Sequence, residues 1–137
     1  MRNPLKILLF FAVFSFIKPT FGSSPILCQR LKIDQFTVSA ILKGLEQELE
    51  SGGEAQSLLI PMERLSSSWK NLYDATNEKQ IYHLYKLLLE AEQLLSDHQL
   101  SVAITQMEEV QEALIQTINN LCGDTRDSNP YNFNSLL

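Results

Sequence analysis

The chain has 137 residues, 45% of them apolar and 20% charged, with 16 acids against 11 bases. That length fits one domain, and that apolar fraction excludes a wholly disordered chain. The acidic balance excludes nucleic acid as a partner, because phosphates need a basic stripe to neutralise them.

Residues 1–22 read as a removable secretion signal. Arg2 and Lys6 give a positive start, Ile7 to Ile17 is apolar except for Ser15, and Lys18-Pro19 ends the run. Thr20-Phe21-Gly22 then places small residues three and one before a cut ahead of Ser23. A membrane span needs about 20 apolar residues, more than this run offers. The expectation is a secreted, extracellular protein with no membrane attachment. Taking 22 residues from 137 leaves 115, in which 8 bases face 16 acids, a balance of −8.

Cys28 and Cys122 are the only cysteines and both survive the cut. In an oxidising compartment such an isolated pair reads as one disulfide. A zinc pair or a redox pair would need other spacings and further ligands. No Asn-x-Ser/Thr acceptor follows the signal, so no N-glycan is expected.

Four helices are predicted in residues 23–123. Val38, Ile41, Leu42, Leu45 and Leu49 recur at helical spacing, with Asp34 as an N-cap and Ser51-Gly52-Gly53 as a stop. Leu58, Met62, Leu65, Trp69, Leu72 and Tyr73 form the second stripe. Pro61 falls inside it, so the helix either begins there or starts at Glu54 and kinks. Because Leu58 shares the stripe, the kink is the preferred expectation. Asn77 with Gln80 resembles a capping box for the third helix. That helix, with Ile81, Leu84, Tyr85, Leu88 and Leu95, is apolar around much of its circumference and is expected to sit deepest. Asp97 is the expected cap of the fourth helix. Leu100, Ala103, Met107, Val110, Leu114, Ile118 and Leu121 follow at alternating steps of a bundle seam, and Gly123 ends it by a left-handed cap. Residues 124–137 contain Pro130 and no periodicity, and read as a flexible tail.

The predicted fold is therefore all-α, an antiparallel four-helix bundle closed by one disulfide joining its two ends. The helix count and the disulfide agree. Three alternating helices would leave the cysteines some 25–30 Å apart, whereas a disulfide needs Cα atoms within roughly 7 Å.

No constellation for chemistry emerges. His83 and His98 lack a carboxylate or thiol at motif spacing, and no nucleophile elbow, phosphate loop, metalloprotease or calcium-loop pattern occurs. The expectation is a protein that is not an enzyme, with no metal and no cofactor. Glu108, Glu109 and Glu112 place three negative charges and no base in the middle of the fourth helix. Two readings stand side by side: a solubilising face, or an acidic surface that speeds encounter with a basic partner. Trp69, Tyr73, Tyr82 and Tyr85 surround the second corner. Core packing is the default for such residues, but Trp69 and Tyr82 would form an interaction hot spot if exposed.

The acid-flanked glycine corner Glu50-Ser51-Gly52-Gly53-Glu54, the Leu58-Leu59-Ile60-Pro61-Met62 stretch and the following Ser68-Trp69 resemble the small salivary proteins of blood-feeding mosquitoes of the anophensin and albicin type. The likeness spans the block from Cys28 to Cys122. It implies an all-helical, disulfide-bonded salivary protein that interferes with a host plasma cascade. The target would be the alternative complement pathway convertase or the contact (kallikrein–kinin) system, with host plasma proteins as partners. No binding residue is carried over from the resemblance. A helical carrier of a small apolar ligand, or a cytokine-like receptor ligand, is the alternative expectation.

Overall fold

The computed structural model describes residues 25–123, four α-helices and one 3₁₀ turn with no strand among them. The expected signal at 1–22 and tail at 124–137 lie outside these residues. Helix α1 spans Pro25–Ser51, α2 Leu59–Thr76, α3 Lys79–Ser96 and α4 Leu100–Cys122, with the 3₁₀ turn at Gln56–Leu58.

Helix α1 starts well before the expected cap. Pro25 occupies its first position, where a missing N–H costs nothing and the fixed φ suits a helix. Leu27, Leu31, Asp34, Val38, Ile41, Leu42 and Leu45 form the buried stripe. Asp34 is thus a buried mid-helix residue and not an N-cap. Leu49, expected in the core, is 47% exposed, because the stripe ends one turn earlier. The glycine stop holds: Gly52 has φ 81°, and Gly53 N–H donates to Glu48 O at 2.8 Å. A different glycine allows a close approach. A Cβ on Gly44 would meet Leu58 Cδ1 at 3.2 Å, so the 3₁₀ turn lies directly on α1.

The preferred kink at Pro61 does not occur. Helix α2 begins at Leu59, which puts Pro61 in its first turn, where backbone N–H groups have no intrahelical acceptor. Leu58 shares the stripe only because the 3₁₀ turn feeds into the helix. The expected capping box is also absent. Asn77 is the left-handed C-cap of α2 at φ 60°, its N–H donating to Tyr73 O at 2.7 Å, and Glu78 stands at the N-cap of α3 with no side-chain bond. Thr76 Oγ1 accepts the Glu78 N–H at 3.2 Å instead. Asparagine tolerates the left-handed region, so it serves the helix before it.

Asp97 likewise closes α3: its N–H donates to Gln93 O at 2.9 Å, and Gln99 takes the N-cap of α4. Gln56 Nε2 donates to Leu95 O at 2.8 Å, joining the first corner to the third. Gly123 ends α4 at φ 77°, ψ −169°, a positive φ that favours glycine but not the expected αL cap.

One core unites the helices. Helix α4 packs on α1 and α3, and α3 packs on α2, while α1 and α2 approach each other at few points. Trp69, Leu31, Leu45, Met62, Leu88 and Met107 are fully buried at its centre. Helix α3 buries Ile81, Leu84, Leu88, Ala91 and Leu95 completely. Its remaining leucines Leu87, Leu89 and Leu94 lie on the flanks, half-buried. Cys28 and Cys122 form the expected disulfide, with Cα atoms 5.7 Å apart across a sequence separation of 94.

Candidate functional site

Several surface features, one buried pair and one half-buried acid stand out. The outward face of α4 carries Glu108, Glu109 and Glu112, all exposed. The buried residues Met107, Val110 and Leu114 alternate with them, and that spacing holds the carboxylates away from the core. No described base lies within ion-pair distance of the three. Their charge therefore projects into solvent uncompensated, with Ile115, 40% exposed, one turn beyond.

The second corner is an aromatic cluster. Tyr73 and Tyr82 ring centroids are 4.9 Å apart, Tyr82 and Tyr85 5.9 Å, and Lys86 Nζ stands 5.8 Å from the Tyr82 centroid. Tyr82 is 38% exposed, whereas Trp69 is completely buried. The core reading thus applies to Trp69, and only Tyr82 remains available at this corner.

Trp69 has a role that the sequence reading missed. Its Nε1–H donates to Asp34 Oδ2 at 2.9 Å, a buried bond that spans α1 and α2 where those helices are otherwise apart. Arg30 Nε stands 3.8 Å from the other carboxylate oxygen. Burial raises the Asp34 pKa; the indole hydrogen bond and the Arg30 charge pull the other way. The signal was present in the spacing. Asp34 falls on a core position between Leu31 and Val38, and a seam position filled by an acid calls for a buried donor.

Glu92 of α3 is the second perturbed acid. Burial raises its pKa, opposed by the Ser66 hydroxyl and reinforced by Glu63, and its Oε2 is buried with no hydrogen-bond partner. A raised acid pKa means the folded state holds the proton more tightly, so this contribution to stability is lost as pH rises above about 4. Glu92→Gln is expected to melt at a higher temperature than the parent at pH 7. The gap should close on acidification towards pH ~4. Thermal melts across that range check the sign.

Two open grooves flank α2. One, of about 740 Å3, is lined by residues including Arg30, Ile60, Arg64, Ser68 and Leu72. The other, of about 440 Å3, includes Ser66, Lys70, Tyr85 and Glu92. Both mix charged with apolar walls and open to solvent, unlike the enclosed apolar pocket of a lipid or odorant carrier. Among the described residues no cluster of His, Cys, Asp and Glu is arranged to hold a metal ion, and no helix is long and apolar enough to cross a membrane.

The outward face of α1 was not anticipated. Ile26, Ile33 and Phe36 are 71%, 56% and 78% exposed. They follow steps of seven and three on the side away from the core stripe. Their signal is the set of apolar residues left over once Leu27, Leu31, Val38 and Leu42 are assigned to the core. Comparison of the chain with protein-family models, curated proteins and solved structures gives no match.

Proposed function

We propose that the protein is a secreted, non-catalytic inhibitor that occupies a protein surface in a host plasma cascade, and that its helices run as an antiparallel bundle. For the topology, support comes from links between helices. Cys28 in the first turn of α1 joins Cys122 at the end of α4, and Gln111 Nε2 donates to Ser39 Oγ at 2.9 Å. Gln106 of α4 reaches Leu87 O, and Asn120 reaches Gln80. In each pair one partner advances as the other recedes, as in neighbouring bundle helices.

For the activity, the observation that carries the reading is the unpaired, exposed carboxylate face at Glu108, Glu109 and Glu112. Exposed like charges speed encounter with a basic partner. The signal-like N-terminus and the resemblance to mosquito salivary inhibitors direct that surface to a host plasma protein, in the alternative complement pathway or the contact system. Alternative-pathway haemolysis and contact-activation assays at micromolar protein test the proposal, and inhibition of one of them is expected. Reversal of all three glutamates to lysine is expected to slow association at least about tenfold and flatten its salt dependence. Absence of inhibition in both assays would overturn the function. Unchanged kinetics in the reversed variant would overturn the assignment of the face.

A further inference from the structure

The exposed stripe of α1 and the acidic face of α4 lie side by side on adjacent helices, and their chemistry is complementary. Along α1, from Pro25 to Gly44, Lys32 and Lys43 are exposed bases, Arg30 turns to Asp34 and the groove beside α2, and the only acid, Asp34, is buried. This basic, apolar strip stands out in a domain whose described residues carry 7 bases against 14 acids. On α4, the exposed Glu108 and Glu112 flank the turn that leads to Ile115. Stepping about 100° per residue from the buried stripes turns Lys32, Phe36 and Lys43 of α1, and Glu108, Glu112 and Ile115 of α4, to the outer side of the α1/α4 layer, while Ile26 and Ile33 lie on the flank of α1 nearer α2.

From this geometry we infer that a second copy of the chain covers this layer, with the two copies related by a two-fold axis parallel to the helices. This goes beyond the proposed function. Such an axis lays α1 of one copy on α4 of the other and preserves height along the bundle. The Ser39–Gln111 and Cys28–Cys122 links set that height. Phe36 then stands level with Leu114, beside Ile115 of the second copy. Lys43 stands level with Met107, beside Glu108. Apolar groups thus meet near the cysteine end and opposite charges meet further along. Because the axis is two-fold, every contact occurs twice and the assembly closes as a dimer. Two helices roughly 35 Å long and about 9 Å apart present some 600 Å2 a side, the lower range of a specific interface.

The alternatives fit less well. A flat anionic membrane would meet the same bases, but also Glu46, Glu48 and Glu50 at the far end of α1 and a domain of net negative charge. A host protein remains a competitor for Glu108 and Glu112, so the dimer and the inhibitory encounter are mutually exclusive at those carboxylates. Dilution then favours the form with the free face.

Sedimentation equilibrium on the chain expressed from its full sequence, disulfide intact, tests the inference. A dimer is expected in the micromolar range, and it should weaken between about 0.05 and 0.5 M salt. Phe36→Asp and Lys43→Glu are each expected to weaken association at least about tenfold without lowering the Tm of the dilute monomer, on which both side chains are exposed. Lys43→Glu combined with Glu108→Lys should restore most of the dimer, a recovery that no non-specific loss of solubility would produce. A monomer at all concentrations, a dimer indifferent to Phe36→Asp, or a swap that fails to recover association would each overturn the proposal. So would a chain that stays monomeric yet sediments with phosphatidylserine vesicles. None of these readouts depends on plasma activity, so failure here is distinct from failure of the inhibitor reading.

Discussion

Cys28→Ser with Cys122→Ser is expected to lower the unfolding free energy by up to about 4–5 kcal/mol, the value for opening a loop of 94 residues in the unfolded chain. That is a large fraction of the roughly 5–15 kcal/mol that stabilises a typical domain. The change acts chiefly on the unfolded state, so circular dichroism of the folded variant should still report the helices. The denaturant midpoint should fall sharply while the slope of the transition changes in the direction of a more expanded unfolded chain. Guanidinium titrations of parent and variant check this. A loss under about 1 kcal/mol would mean that the reduced unfolded chain already keeps its two ends close.

Trp69 carries the second large effect. It is fully buried and holds Asp34 by its indole N–H. Trp69→Ala is expected to cost about 3–5 kcal/mol from the cavity alone. Trp69→Phe keeps most of the volume but leaves a buried carboxylate oxygen without its donor, at about 1–3 kcal/mol. The pH dependence separates the two contributions. With the indole bond gone, burial pushes the Asp34 pKa further up, so the carboxylate is harder to ionise in the folded state. The deficit of Trp69→Phe relative to the parent should therefore widen as pH rises from about 4 to neutrality. Adding Asp34→Leu to Trp69→Phe replaces the pair by apolar groups and should recover much of the loss. Denaturant curves followed by circular dichroism at two pH values measure all three variants. A pH-independent deficit would assign the whole cost to packing.

The helices were legible because their burial is periodic. The α4 seam from Ala103 to Ile118 reads as expected, and so does the glycine stop after Ser51. The cysteine pair also reads as expected, because two thiols in one domain leave one partner each. Corners were less legible, for a physical reason. Asn77 and Asp97 have side chains that suit either end of a helix, and position alone does not say whether a residue closes one helix or opens the next. Both close the preceding helix here. Pro61 shows a similar ambiguity: the same residue is a breaker within a helix and neutral in its first turn. Asp34 was misread because a polar residue near a helix start suggests a cap, while its place in the Leu31–Val38 spacing indicates the core. For the candidate site, the three α4 glutamates could be placed on one face from spacing alone. The exposure of Phe36 and the burial of Trp69 could not, since both are aromatic residues on amphipathic helices. Only the packing of α1 on α4 and of α2 on α3 decides which aromatic residue is inside.

The covalent link between the first turn of α1 and the last residue of α4 encloses every corner of the described chain. A protease that nicks the glycine turn, or either of the later two, would release no fragment. The severed pieces would stay tethered and seated on one another, and the nick would show on a gel only after reduction. Damage of this kind would leave the outer faces in place.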